Sequence, residues 1–368
     1  MAVQYNDILS ILKIKKMYNN IRSNTCHKEK LVRFELAFTS NVINIFTLLK
    51  TRSYKHSHYN VFLIAEPKYR VIMSEIMRDK IVNHLVSHYV LIPSLDKKLI
   101  EANVATRKNK GTKMGVYYFK KYVNSLKENH DDIYVLKCDI SKYFYNIDHQ
   151  ILLDKLAKDI EDKELYSLIE DIVRSTDKQN VNDQIDRLVE REISRLKGKK
   201  VSNSDKLISQ LRSLPHYNVG KGLPIGNETS QILAIYYLND LDHFIKEKLK
   251  IKGYVRYMDD FLLFHHDKEY LKYCLKEIEK KIKELKLQLN KKTQIYNMHH
   301  GVVFLGYKFV LKNKRLIVLI NNQTKKRVER KLRKMKKRGA PNYELVKASY
   351  NGYFKTAHTK EFLYKLKW

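Results

Sequence analysis

Three aspartates stand where an unpaired carboxylate is costly. Asp139 directly follows Asp132-Ile-Tyr-Val-Leu-Lys-Cys138, a continuous β-prone run of the kind a buried strand requires. Asp259 and Asp260 lie between Val255-Arg-Tyr-Met258 and Phe261-Leu-Leu-Phe264, at the predicted tip of a tight hairpin. Acids at the ends of hydrophobic strands need something positive to meet them. Two adjacent aspartates repel unless a cation lies between them or beside one. Divalent magnesium takes oxygen ligands and favours one or two carboxylates plus substrate phosphates. A pair of such ions clamps the attacking and leaving oxygens of an in-line phosphoryl displacement. One aspartate at a strand end is ordinarily a turn former; three in this order point to metal-assisted phosphoryl chemistry.

The elements that must position them follow from pattern. The first hundred residues read mainly as helices, with a short strand at Asn60 to Ile64 and helical spacing in Ile72, Ile76, Lys80, Val82 and Leu85. A helix is predicted from His149. Between 160 and 215 the chain is polar and helical, with one apolar stripe of Ile185, Leu188, Val189, Ile193 and Leu196. The breaker-rich Gly220-Lys-Gly-Leu-Pro-Ile-Gly226 precedes a helix predicted over Gln231 to Lys248, with Thr229 or Ser230 as cap. Leu271, Cys274, Leu275, Ile278, Ile282 and Leu285 mark another amphipathic helix, and Val302 to Val310 a strand pair with Gly306 at its middle. The predicted fold class is α+β: a palm-like layer between two helical attachments.

Composition narrows the partner. The 368 residues hold 72 Lys+Arg against 40 Asp+Glu, a net charge of +32, with 43% hydrophobic residues, enough to bury a core. A positive excess on a folded chain suits a polyanion. A lysine-rich proteome is the bland source of the same excess. Cys26, Cys138 and Cys274 are odd in number and far apart, so neither a disulfide framework nor a CxxC zinc pattern is expected, and a reducing compartment fits. No signal peptide and no membrane-spanning run is read, so the expected location is the cytoplasm. No Walker A, Rossmann or Ser-His-Asp signal is present.

Set in order, the motifs resemble those of reverse transcriptases. Tyr257-Met-Asp-Asp260 resembles the YxDD box, Lys137-Cys-Asp-Ile-Ser-Lys-Tyr-Phe-Tyr-Asn-Ile-Asp148 the first catalytic motif and Gly222-Leu-Pro-Ile-Gly-Asn-Glu-Thr-Ser-Gln231 the second. Leu289-Asn-Lys-Lys-Thr293 resembles the fourth motif, Phe304-Leu-Gly-Tyr307 the primer grip, and Glu66-Pro-Lys-Tyr-Arg70 and Ala105-Thr-Arg-Lys-Asn-Lys-Gly111 the fingers motifs. The likeness covers about residues 60 to 310.

The resemblance implies a right-hand polymerase fold. Residues 1–130 would form N-terminal helices and fingers, 131–150 the first palm segment, 151–220 fingers with a helical insertion, 221–310 the palm and 311–368 a basic helical thumb. It implies that Asp139, Asp259 and Asp260 hold two Mg²⁺ ions (or Mn²⁺) with the Ile140 carbonyl. Phe144 falls where the family places an aromatic steric gate that would clash with a 2′-hydroxyl; ordinary core packing is its other reading. Lys68 and Arg70 would hold the incoming triphosphate, Arg suiting bidentate contact and Lys a point charge; otherwise they form a solvated surface. Lys292, with Lys291 as rival, would protonate pyrophosphate, and Phe304, Leu305, Gly306 and Tyr307 would press the primer toward the acids.

The second motif departs from many members, which carry Gln-Gly and Ser-Pro where this chain has Ile225-Gly226 and Ser230-Gln231. That form resembles the reverse transcriptases of bacterial and phage diversity-generating retroelements and of defence systems. Ile225 in place of a pocket glutamine implies looser nucleotide selection. Ser349-Tyr-Asn-Gly-Tyr-Phe-Lys-Thr-Ala-His358 resembles the short thumb of those groups, and no room is expected for an RNase H, integrase or maturase domain. Ten of the fourteen residues from Lys325 to Arg338 are basic. Lys325, Arg327, Arg330, Lys331, Arg333 and Lys334 would form the cationic face of a helix seamed by Val328, Leu332 and Met335, and would bind phosphates. A solvated lysine-rich helix is the alternative.

The expected activity is therefore RNA-directed DNA synthesis from dNTPs on a dedicated structured RNA, giving cDNA, with an accessory protein or a homo-oligomer as further partners and no membrane. Anti-phage defence is the expected setting, from the helical insertion near 176 to 215, with a diversity-generating retroelement as runner-up. A non-catalytic RNA-binding scaffold stays open as a second class. Of the remaining features, Lys-interleaved aromatics such as Tyr117-Tyr-Phe-Lys-Lys-Tyr122 could stack on bases, though most tyrosines suit packing better. His84 and His88 have the i, i+4 spacing of metal ligands, but the sequence offers no third ligand nearby, so a packed helix is expected.

Overall fold

The computed structural model describes residues 3–25, 29–65, 68–177, 181–198 and 203–358. Cys26, the Glu66-Pro67 start of one fingers motif and Trp368 lie outside the described residues. The strands in chain order are β1 (Tyr59–Ile64), β2 (Arg70–Glu75), β3 (Tyr134–Asp139), β4 (Gly253–Tyr257), β5 (Asp260–His265), β6 (Gln294–Asn297), β7 (Val302–Phe304), β8 (Tyr307–Lys312) and β9 (Arg315–Ile320). The chain divides into two compact units. One comprises Met1–Ile100, Ile140–Asp242 and Lys281–Gln288; the other comprises Glu101–Asp139, His243–Lys280 and Leu289–Trp368.

In the first unit β1 and β2 form an antiparallel hairpin, with Tyr59 opposite Glu75 and Ile64 opposite Arg70. The apolar stripe of helix Val181–Lys197 closes onto it: Val181, Ile185, Val189, Ile193 and Leu196 share a core with Tyr59, Val71 and Met73. Leu207, Ile208, Leu211 and Leu214 pack into the same core, so these parts of the polar helical region fold onto the hairpin. Two expectations need correction here. Ile72 belongs to β2, where it pairs with Phe62, and the helix starts only at Met77; the strand's period-2 burial overrides the helical spacing. The helix expected over 231–248 is Glu228–Tyr237, with Asn227 at its N-cap position in extended backbone but making no side-chain cap bond, and the chain continues in separate short helical segments Asn239–His243 and Phe244–Lys248. Thr229 does not cap it, because its buried hydroxyl donates to Asn83 Oδ1 (2.5 Å). The helix His149–Ala157 begins where expected, with Asp148 Oδ1 accepting from the Ile151 N–H (3.1 Å). Burial opposes the Asp148 charge, yet the Lys286 ammonium (2.8 Å) and that N–H hold its carboxyl below its ordinary value.

The second unit is built on an antiparallel sheet of order β4-β5-β3-β6 and a second antiparallel sheet, β7-β8-β9. Helix Thr112–Lys127 joins their cores through Phe119, which stacks on Phe309 (centroids 3.8 Å apart) and meets Phe264 edge-on (4.9 Å). Helix Asn322–Lys337 buries Val328 and Leu332 in the same core and leaves Arg327, Arg330, Lys331, Arg333 and Lys334 exposed. The fold class is α+β. No helix among the described residues is long and apolar enough to cross a membrane.

Candidate active site

All three sequence-selected aspartates belong to the second unit and come together at one end of its four-stranded sheet. β3 ends on Asp139, which stands opposite Asp260, the first residue of β5. Tyr257 also faces Asp260, so the two-residue hairpin turn is Met258-Asp259. The expected tip, Asp259-Asp260, is therefore shifted by one residue: Asp259 occupies the turn and Asp260 the ladder. The turn requires Met258 at φ +61°, a left-handed conformation that costs a non-glycine residue about 1 kcal/mol.

Arg256 holds that strain in place. It is wholly buried, its Nη1 donates to the Met258 carbonyl (2.8 Å), and its backbone is tied on both sides by Arg256 N–H to Ala102 O (3.0 Å) and Val104 N–H to Arg256 O (2.9 Å). Sequence reasoning gave Arg256 no role. The signal was there: an arginine inside an otherwise apolar strand has to be satisfied internally.

The electrostatics of the cluster are repulsive. Burial, then Asp139 and Asp260, push the Asp259 carboxyl up to about 6, against an easing pull from its own N–H and from Arg256. Asp260 is likewise raised to about 6, mainly by burial, with Lys137 lowering it and Asp139 raising it. Lys137 was also overlooked. Its ammonium donates to Asp260 Oδ2 (3.1 Å) and to the Val303 carbonyl (2.8 Å), bridging the acid to β7. Asp260 Oδ1 is buried with no hydrogen-bond partner among the described residues. A carboxylate oxygen left in that state, beside two further acids, is what a hard divalent cation would satisfy, so this donor set fits magnesium.

A family model of reverse transcriptases (RNA-dependent DNA polymerases) matches residues 55–309, more than half of the chain and inclusive of every residue of this cluster. The chain belongs to the reverse transcriptase family. That family consists of RNA-directed DNA polymerases, which are nucleotidyltransferases with a right-hand polymerase fold and a general use of divalent metal ions. No curated protein matches the chain. Among solved structures, telomerase from Candida albicans, in complex with a TWJ fragment of telomeric RNA, is similar at a TM-score of 0.45 and 16% identity over 74% of this chain. The match takes in 46% of that chain, so this protein spans less than half its length.

The remaining reverse transcriptase motif residues divide between the units. In the second unit the Asn290 N–H donates to the Asp139 carbonyl (2.7 Å), tying the fourth motif to the first, and Lys292 is exposed beside it, its N–H on Asn290 Oδ1 (3.1 Å). Phe304 and Tyr307 are buried in the core, and the turn between them, Leu305-Gly306, has both φ positive, the signature of a hairpin turn that follows strand twist. A Cβ on Gly306 would lie 2.3 Å from the Tyr353 hydroxyl, so the turn is cradled by helix Tyr343–Phe354. What this turn can offer a partner is backbone. On the basic helix, Lys331 lies over the Tyr350 ring (5.7 Å).

In the first unit Lys68 and Arg70 are exposed at the start of β2. Ile140 is buried, and Phe144 is half-buried in the turn Tyr143–Asn146, its carbonyl accepting from the Leu223 N–H (2.7 Å). The second-motif loop is laid against β2: the Met73 N–H donates to the Ile225 carbonyl (2.9 Å), and a Cβ on Gly226 (φ +137°) would come within 2.2 Å of the Met73 carbonyl oxygen. Only glycine permits that approach.

Proposed function

We propose that the protein is an active RNA-directed DNA polymerase that copies a dedicated structured RNA into cDNA. The observation that carries this reading is the Asp139–Asp260 ladder pair with Asp259 on the adjoining turn. Such a cluster is costly to maintain and gains its use from divalent cations. In the reaction, a primer 3′-hydroxyl oxygen bonds to the α-phosphorus of a dNTP, the bond to the bridging oxygen breaks, and pyrophosphate leaves while the hydroxyl proton passes to solvent. Two Mg²⁺ ions (Mn²⁺ as substitute), held by Asp139, Asp259, Asp260 and the Ile140 carbonyl, would stabilise the charge on attacking and leaving oxygens. Arg256 and Lys137 position two of those acids. Arg70 and Lys68 are assigned to the triphosphate, Phe144 to sugar selection with Ile225 and Gly226 shaping the base side, Lys292 to pyrophosphate, and the Phe304–Tyr307 turn to the primer. The exposed cations of Asn322–Lys337 are assigned to the nucleic-acid backbone.

The test is extension of a DNA primer on an RNA template with dNTPs and Mg²⁺. The wild type should extend it and Asp259→Asn should not, while both retain RNA in a filter assay; extension by neither, with RNA bound by both, would establish the scaffold reading. For setting, we propose anti-phage defence by a cytoplasmic enzyme of the bacterial and phage group. In support, helix Val181–Lys197 of the helical insertion near 176–215 shares the core of the hairpin that bears Arg70. A non-coding RNA gene in a defence island beside the coding sequence is the expected neighbourhood; a template repeat next to a variable repeat would indicate diversification, with an accessory protein as partner.

A further inference from the structure

A second cluster of metal-ligating groups lies wholly within the first unit. His84 and His88 were expected to be packed helix residues for want of a third ligand; the fold supplies one in Glu228, 140 positions downstream. Each of the three offers a ligand atom within 4.8 Å of the other two. His84 is on helix Met77–Val86, His88 on the π-helical segment Ser87–Leu91 that continues it, and Glu228 is the first residue of helix Glu228–Tyr237. Single π turns inside helices recur at functional sites.

From this arrangement we infer a transition-metal site, formed by His84, His88 and Glu228, that binds Zn²⁺ with one coordination position open. Two imidazoles and one carboxylate are a zinc donor set, softer than the all-oxygen set that suits magnesium. Three observations beyond proximity support it. First, His84 Nδ1 is buried with no hydrogen-bond partner among the described residues, which leaves a polar atom that a metal would satisfy. Second, the imidazoles face each other nearly parallel, with centroids 6.2 Å apart and planes 14° apart. Third, Glu228 is pre-positioned on both sides. Asn227 Nδ2 donates to the Tyr59 hydroxyl (3.0 Å), and Thr229 Oγ1 donates to Asn83 Oδ1, the residue next to His84. Ligands whose backbones are fixed by neighbouring bonds need little reorganisation on binding. The bound ion would clip helix Met77–Val86 to the loop that carries Ile225 and Gly226.

The probe is Zn²⁺ alone on the full-length, chelator-stripped protein, with Co²⁺ as spectroscopic substitute, in Mg²⁺-free buffer. The wild type should bind one Zn²⁺ per chain stoichiometrically at micromolar protein, show visible d–d bands with Co²⁺ and melt at higher temperature when loaded. Glu228→Gln should weaken Zn²⁺ binding at least about tenfold, and the exposed His88→Asn should abolish the d–d bands. Circular dichroism is read alongside to show that both variants fold. Absence of stoichiometric Zn²⁺ in the wild type overturns the site, as does Zn²⁺ bound equally by wild type and both variants, since that metal would sit on other histidines. Neither result touches the polymerase reading, which is scored by primer extension with Mg²⁺.

Discussion

Replacing Asp259 by asparagine should stabilise the metal-free protein while removing its polymerase activity. The Asp259 carboxyl is pushed up to about 6 by burial and by Asp139 and Asp260, against an ordinary 3.8. That gap, at about 1.4 kcal/mol per pH unit, is about 3 kcal/mol held against the ionised form; because the three acids titrate together, about 1–3 kcal/mol is the working range. The sign follows from linkage. A carboxyl whose folded value lies above its unfolded one contributes stability below pH 4, and that contribution is lost as pH rises through 6. Asparagine is neutral throughout. At pH 7.5 in chelator, Asp259→Asn should therefore melt about 2–5 °C above the wild type, and the gap should narrow as pH falls below about 6 and close below pH 4. Added Mg²⁺ should raise the wild-type melting temperature at pH 7.5 and move the variant less. Differential scanning fluorimetry across pH, with and without Mg²⁺, reads all of this. A variant melting at or below the wild type at pH 7.5, or a gap independent of pH, would refute the claim that the acids repel in a desolvated pocket.

Four other outcomes test neighbouring parts. Lys137→Met removes the ammonium that lowers Asp260, so the acid limb of the Mg²⁺-dependent extension rate should move to higher pH; an unmoved limb would show that Lys137 does not tune the site. Arg256→Met leaves the Met258 carbonyl without its donor and should cost about 1–3 kcal/mol in urea denaturation, with loss of extension at temperatures where the protein is still folded. Gly226→Ala meets the Met73 carbonyl oxygen and should cost about 2 kcal/mol or more, whereas Gly339→Ala, where nothing lies within 4 Å, should cost only its φ strain. Replacing Arg330, Arg333 and Lys334 together by glutamine should flatten the slope of log affinity against log salt for a template–primer by up to about 2–3, measured by fluorescence anisotropy; an unchanged slope would take those cations off the phosphate backbone.

The parts legible in the sequence are those whose cause is local. A continuous apolar run ending in Asp139 and an Asp-Asp pair between apolar strands are each short-range patterns, and their chemistry follows from desolvation alone. The ladder that sets Asp139 opposite Asp260 spans more than a hundred residues, and only the motif order hinted at it. The one-residue shift of the hairpin turn was not read from the sequence, because a left-handed Met258 is disfavoured on its own and here is accompanied by an Arg256 bond to its carbonyl. Ile72 and Thr229 were misjudged for the same reason: a ladder partner in one case and a buried hydrogen bond in the other outweighed spacing and cap preference. The His84–His88–Glu228 cluster makes the point most sharply. Helical spacing exposes the first two residues to sequence reading, but the third reaches them through the Thr229–Asn83 bond, which ties the start of one helix to the flank of another. A long-range bond of that kind fixes where Glu228 stands before any ion arrives. The same bond therefore gives the proposed zinc site its own control: Thr229→Val should weaken Zn²⁺ binding with all three ligands intact, and undiminished binding would show that the ligands need no such anchor.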